Sequence, residues 1–267
     1  MKETKKMLVF DFDGVISNSI HDSYVTALNT YIEMVNEHQF PLQAPVEPAS
    51  DIFQFEKRHP ELFEAFRILL PMGNRAEDYY VFMQIMNQHL ISSIQDQEAF
   101  EEFKATLSKD DLTHYTQAFY SHRAAQQKKD PEGWSELLPA FPGVIEAIQA
   151  LSERFVLAIA TSKDRESVNL QLSHYGITYL FPGHHIVDKD FASSKRDHLR
   201  YLQETFKIPF PSIFFIDDKV LHLISVKDLR VQCLLAGWGF NSAREHDIAL
   251  REGFQVLEIE ELAHLES

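Results

Sequence analysis

The sequence predicts an α/β protein: a doubly wound, Rossmann-like parallel sheet with an all-helical segment inserted after its first strand. Two patterns carry that expectation. Five short runs are predominantly apolar, MLVFDF (7–12), FVLAIAT (155–161), SIFFID (212–217), VQCLLA (231–236) and FQVLEI (254–259). Continuous rather than alternating apolarity marks strands covered on both faces. Helix-period stretches fall between or before the later runs: GVIEAIQALSER (143–154), SVNLQLSHYG (167–176), KRDHLRYLQETF (195–206) and IALREG (248–253). Strands alternating with helices imply right-handed crossovers and parallel pairing.

The stretch from 20 to 139 reads differently. HDSYVTALNTYIEMVNEH (21–38), HPELFEAFRILLPM (59–72), AEDYYVFMQIMNQHLISSI (76–94) and EAFEEFKATL (98–107) are helical in period and rich in aromatics. Polar or proline-bearing loops such as FPLQAPVEP (40–48) join them. The expected organisation is therefore a core made of residues 1–19 and 140–267, and a helical domain over 20–139. Tyr79, Tyr80, Phe82, Phe100 and Phe103 fit the core of that helical part at helical spacing.

Bulk properties narrow the function. A chain of 267 residues with 45% apolar and 24% charged residues has ample material for a core. Lysine and arginine number 25 against 40 acidic residues, a formal charge of −15. Such a surface repels nucleic acid and anionic membranes, so neither is expected as a partner, and a phosphate-bearing ligand would need a local cation. The lone Cys233 lies in an apolar run and reads as a buried structural thiol, since one cysteine builds neither a disulfide nor a cysteine metal site. MKETKKMLVF is interrupted by aspartate too early to be a signal peptide, and no run is long enough to span a bilayer. A soluble, cytoplasmic protein is expected; the oligomeric state is not legible.

In a doubly wound sheet the site lies beyond the carboxyl ends of the strands. Collecting the polar residues there gives Asp11 and Asp13 after the first run, Thr161 and Ser162 after the second, and Asp217 and Asp218 after the third, with Lys195 opening the helix between the last two. Four carboxylates at one sheet edge cannot all stay ionised without a cation. Oxygen donors with no histidine or cysteine cluster suit a hard ion, Mg²⁺, which keeps waters and meets substrate phosphate. With the ion offsetting the repulsion, one carboxylate can attack phosphorus. A second, two residues on, can protonate the leaving oxygen and then activate water. Lysine and a hydroxyl would hold the phosphoryl oxygens, and the turn at Gly14 could add backbone donors.

These motifs, in this order, resemble the haloacid-dehalogenase-like superfamily, and in particular its phosphoglycolate-phosphatase-like and β-phosphoglucomutase-like members. VFDFDGV matches the first motif, an apolar strand followed by DxDG[TV]. The resemblance implies Asp11 as nucleophile and Asp13 as acid/base, Thr161 as the second motif, Lys195 as the third, and Asp217 with Asp218 as the fourth. Lys189, in VDKDF, competes for the third role because the common lysine–proline pattern is absent. FPGVIEAIQAL (141–151) looks like the segment that returns from a helical cap to the core in these relatives. A phosphatase acting on a small phosphorylated metabolite is implied, with phosphoglycolate or a sugar phosphate as default substrate. A mutase and a regulatory protein without turnover remain alternatives. A dehalogenase is disfavoured, because those enzymes lack a residue like Asp13.

Some positions depart from the pattern. Many relatives carry an acid four residues after the main fourth-motif aspartate, where this chain has His222; Asn18 and Ser19 stand where aspartate–serine is frequent. His184, His185, Arg75, Lys163, Arg165 and Trp238 invite functional roles but are expected to be surface, helix-start or packing residues.

Overall fold

The computed structural model describes residues 5–34, 52–73 and 75–266. Six strands form one sheet: β1 (Met7–Phe10), β2 (Val156–Ala160), β3 (Ile186–Val187), β4 (Ile213–Asp217), β5 (Gln232–Ala236) and β6 (Gln255–Leu257). All pairings are parallel and the order is β3-β2-β1-β4-β5-β6. Phe10 sits opposite Ile159 on one side and Ile216 on the other.

The continuous apolarity of the strands now has its reason. Leu8 and Phe10 enter one core layer and Met7 and Val9 the other; Leu157 and Ile159 part from Ala158 and Ala160 in the same way. The first layer is closed by helices Val144–Leu151 and Arg165–His174, the second by Lys195–Phe206, Val220–Val226 and Ala243–Arg251. Both faces are therefore covered, which is the doubly wound arrangement the runs predict. Strand β3 was not anticipated. It has only two residues, too few to show a period. Cys233 is buried in the second layer, where burial pushes its thiol up to about 12.

The chain divides into two compact units, Met1–Asn18 with Pro139–Ser267, and Ser19–Leu138. In the second unit the described regular elements are helical: Ile20–Met34, Ile52–Arg58, Pro60–Leu69, Ala76–Asn87, Gln97–Thr106, Lys109–Lys129 and Pro131–Glu136, with short 3-10 turns between. The 21-residue helix Lys109–Lys129 escaped the sequence reading because it buries only Tyr115 and Phe119 and is otherwise polar. In the core of the helical unit, buried Phe82 packs edge to face with both Phe66 and Phe100. Tyr80 is also buried, while Tyr79 and Phe103 are half-buried. Buried Asp22 accepts from the Trp134 indole at 2.9 Å and pairs with Arg123 at 2.8 Å. The expected loop at 40–48 lies outside the described residues. No described helix is long and apolar enough to cross a membrane.

Candidate active site

From β1 the chain steps outward to β2 and β3, and from β4 it steps the other way to β5 and β6. The strand order reverses between β1 and β4, the place where doubly wound sheets bind ligands beyond their carboxyl ends. Asp11 follows β1 directly, its N–H still donating to Ile216 at 2.8 Å, and Asp217 ends β4. Two carboxylates thus leave adjacent strands at the same height.

Lys195 lies between them. Its Nζ is 2.8 Å from Asp11 Oδ1 and 3.3 Å from Asp217 Oδ2, and it donates to the Ala160 carbonyl at 2.7 Å. Three acceptors match the three protons of an ammonium. Lys195 opens helix Lys195–Phe206, capped by Ser194, and is buried there. Lys189, the competitor, instead pairs with Asp190 beside it. Burial opposes the Lys195 charge, but Asp11 and Asp217 hold its proton more firmly than usual.

The acids differ in environment. Burial raises Asp11 to about 6 against the pull of Lys195, with repulsion from Asp217 adding to the rise. Burial would raise Asp217 too, but His222 and Lys195 outweigh it and hold this carboxyl below the usual range. Asp218 is pushed well above the usual range by burial, with Lys219 opposing.

Asp13 and Asp218 do not join the same knot. Both oxygens of Asp13 face Lys163, at 3.1 and 3.2 Å. Asp218 Oδ2 accepts from the Phe240 N–H at 3.0 Å. Two glycines make room for Asp218. A Cβ on Gly14, which has φ +81, would stand 2.4 Å from Asp218 Oδ2, and one on Gly239 would stand 2.3 Å from Asp218 Cβ. The Gly14 N–H, expected among the phosphate donors, donates instead to Ser17 at 2.9 Å.

Thr161 is buried after β2, and its hydroxyl accepts from the Lys163 N–H at 3.0 Å. Ser162 is exposed. Lys163, expected to decorate a helix start, is the residue sequence reasoning missed. The available signal was its place two positions beyond Thr161, at a strand end. The other discounted residues do structural work. Arg165 pairs with Asp188 at 2.6 Å and donates to the Gly183 and Ile186 carbonyls. His184 and His185 pack on Phe206. Trp238 donates to the Val15 carbonyl at 3.0 Å, tying the loop after β5 to the turn after β1. Arg75 begins helix Ala76–Asn87, where Asp78 accepts its N–H.

Asp11, Asp217 and His222 each present a ligand atom within 4.8 Å of the others. Octahedral bonds of about 2.1 Å place neighbouring ligands about 3 Å apart. His222 Nδ1 is 3.0 Å from both oxygens of Asp217, which matches that edge. Two buried carboxylates and an imidazole grouped this closely fit a divalent cation.

Solved structures share this architecture over nearly the whole chain. A haloacid dehalogenase-like family hydrolase from Streptococcus pneumoniae is 19% identical, with 98% of this chain and 99% of that one aligned at a TM-score of 0.64. A predicted phosphoglycolate phosphatase from Haemophilus somnus is 15% identical, with 99% of each chain covered and a TM-score of 0.62. A predicted phosphatase from Clostridium acetobutylicum is 16% identical, with 98% of each covered and a TM-score of 0.60. At such identities the likeness is one of fold. No curated protein matches the sequence. The family model described as haloacid dehalogenase-like hydrolase matches residues 5–227. The strand-end acids and their lysine therefore sit in a chain that belongs to the haloacid dehalogenase-like hydrolase family.

Proposed function

We propose that the protein is a Mg²⁺-dependent phosphatase that hydrolyses a small phosphomonoester through an aspartyl-phosphate on Asp11. The observation that carries this reading is the Lys195 ammonium between Asp11 and Asp217 at the point where the strand order reverses. An Asp11 oxygen attacks phosphorus as the bond to the leaving oxygen breaks, and Asp13 gives that oxygen its proton. Asp13 then takes a proton from water, whose oxygen attacks the phosphoenzyme, releasing phosphate and restoring the Asp11 carboxylate. Lys195 and the Thr161 hydroxyl hold the phosphoryl oxygens, and the exposed Ser162 adds a donor at the rim. A divalent cation held by Asp11 and Asp217 would supply the Lewis-acid charge that lets a carboxylate approach a phosphoryl group. Asp13 favours phosphoryl transfer over carbon–halogen cleavage, which has no leaving oxygen to protonate. The helical unit Ser19–Leu138 serves as a cap that sets specificity. Two of the structural neighbours are named as phosphatases, one of them for phosphoglycolate, which makes that ester the first to try.

The test is phosphate release from a panel of small phosphomonoesters, with and without Mg²⁺, by wild type and Asp11→Asn. Release that needs the ion and vanishes in the variant is expected. No release from any ester at saturating ion would overturn the reading. Activation by a sugar bisphosphate without net phosphate release would turn it into a mutase.

A further inference from the structure

We propose that His222 is a metal ligand, adding a nitrogen donor to the Asp11–Asp217 pair so that this site holds Mn²⁺ or Co²⁺ in preference to Mg²⁺. The inference rests on the reading of this cluster as a cation site and concerns which ion it takes.

Three features of the cluster carry it. His222 lies in the first turn of helix Val220–Val226, with its N–H on the Lys219 carbonyl at 2.9 Å. That turn brings the imidazole back over the end of β4, with Nδ1 3.0 Å from Asp217 Oδ1 and 3.0 Å from Oδ2. Asp217 has other donors, the Lys219 N–H at 2.8 Å on Oδ1 and Lys195 at 3.3 Å on Oδ2, so its burial does not by itself demand an imidazole. The histidine also reaches beyond Asp217. One of its ring nitrogens, an Asp11 oxygen and an Asp217 oxygen lie mutually within 4.8 Å, though the two acids come from different strands. His222 thus stands within reach of the gap between the two acids as well as of Asp217 itself. Meanwhile the two other aspartates of the sheet edge are turned aside, Asp13 to Lys163 and Asp218 to the Phe240 N–H. Beside the Lys195 ammonium, the side chains that converge are two carboxylates and an imidazole, not four carboxylates.

The donor set decides the ion. Mg²⁺ is hard, prefers oxygen and gives up water reluctantly. Replacing one oxygen by imidazole nitrogen therefore costs it more than it costs ions of intermediate softness, whose affinities rise from Mn²⁺ through Co²⁺. Mg²⁺ still binds through the carboxylates, but at a disadvantage.

Direct binding tests this without turnover. Titration calorimetry of the full chain with MgCl₂, MnCl₂ and CoCl₂ should give Mn²⁺ and Co²⁺ dissociation constants at least roughly tenfold below that of Mg²⁺. His222→Asp should narrow the gap by roughly tenfold, chiefly by tightening Mg²⁺. Pulsed electron paramagnetic resonance of the Mn²⁺-loaded wild type should show a ¹⁴N coupling that His222→Asp and His222→Gln lack. Absence of that coupling overturns the proposal, as does a selectivity unchanged within about twofold in folded His222→Asp. If both variants fail to fold, the wild-type coupling decides alone. Ion binding with nitrogen coupling but no phosphate release would leave His222 a ligand and refute the phosphatase. Phosphate release with no nitrogen coupling would do the reverse.

Discussion

The Lys163 ammonium faces both oxygens of Asp13, and the two partners are unequally placed: the lysine side chain is 2% exposed and the aspartate 34%. Water can solvate the aspartate if the lysine is lost, but it reaches the lysine poorly if the aspartate is lost. Asp13→Ala should therefore destabilise the protein by about 1–3 kcal/mol more than Lys163→Met does. Urea unfolding of the two variants gives the comparison, and equal losses would mean that the pair is structurally symmetric.

Lys195→Met removes the ammonium between two buried carboxylates. A loss of about 3–5 kcal/mol in stability is expected in metal-free protein. Phosphate release should fall by roughly a hundredfold or more. Adding Asp11→Asn should restore part of the stability, because one of the facing charges disappears, while activity stays lost. A double-mutant cycle in urea reads the coupling.

His198 predicts acid sensitivity. Its Nε2 lies 2.7 Å from the Ala192 carbonyl, and its Nδ1 is buried with no partner. Burial lowers its affinity for a second proton; the Ala192 bond opposes this, Lys195 reinforces it, and Asp188 and Asp197 oppose it more weakly. With its pKa below the unfolded value of about 6.5, the folded state binds fewer protons than the unfolded one. The resulting stability is present above pH 6.5 or so and is lost as pH falls through the folded pKa. Between pH 7 and 5 the wild type should lose stability more steeply than His198→Gln, by up to about 1.4 kcal/mol per pH unit. Parallel urea curves at several pH values would show it, and equal slopes would count against it.

In the helical unit, buried Asp22 receives both the Trp134 indole and the Arg123 guanidinium. Asp22→Ala should cost about 3–5 kcal/mol, and Asp22→Asn less, since an amide oxygen still accepts from the indole. Thermal unfolding ranks the variants, and a shift in tryptophan emission should accompany the alanine change.

The strands and the residues at their ends were legible in sequence because each β1 side chain meets one of two apolar layers, which leaves a run with no polar interruptions before Asp11. Lys195 was legible only through its place between two runs. What the runs could not show is which way a side chain turns. Asp218 needs the space left by Gly14 and Gly239, and Gly239 lies on a loop twenty-one positions away in sequence. The partners of Asp13 and Asp217, Lys163 and His222, each begin a helix or precede one closely, where a basic residue normally signals nothing. Helix Lys109–Lys129 failed to register for a related reason: two buried aromatics in 21 residues make no periodic stripe.

The position of β1 in the middle of the sheet has a consequence for how the molecule is made. Both strands that flank it lie far along the chain, at Val156–Ala160 and Ile213–Asp217. Synthesis at about 5–20 residues per second leaves MLVF without a neighbour on either edge for roughly seven to thirty seconds, until β2 emerges, and with one edge open for roughly ten to forty seconds, until β4 does. During the first interval the nascent chain carries an apolar strand with two open edges, the kind of segment that pairs with other chains. Assembly of the sheet, and with it the juxtaposition of Asp11 and Asp217, must await the chain's final third. A ribosome-bound intermediate truncated before residue 213 should accordingly be bound by chaperones, and one carrying β4 clear of the exit tunnel should be released.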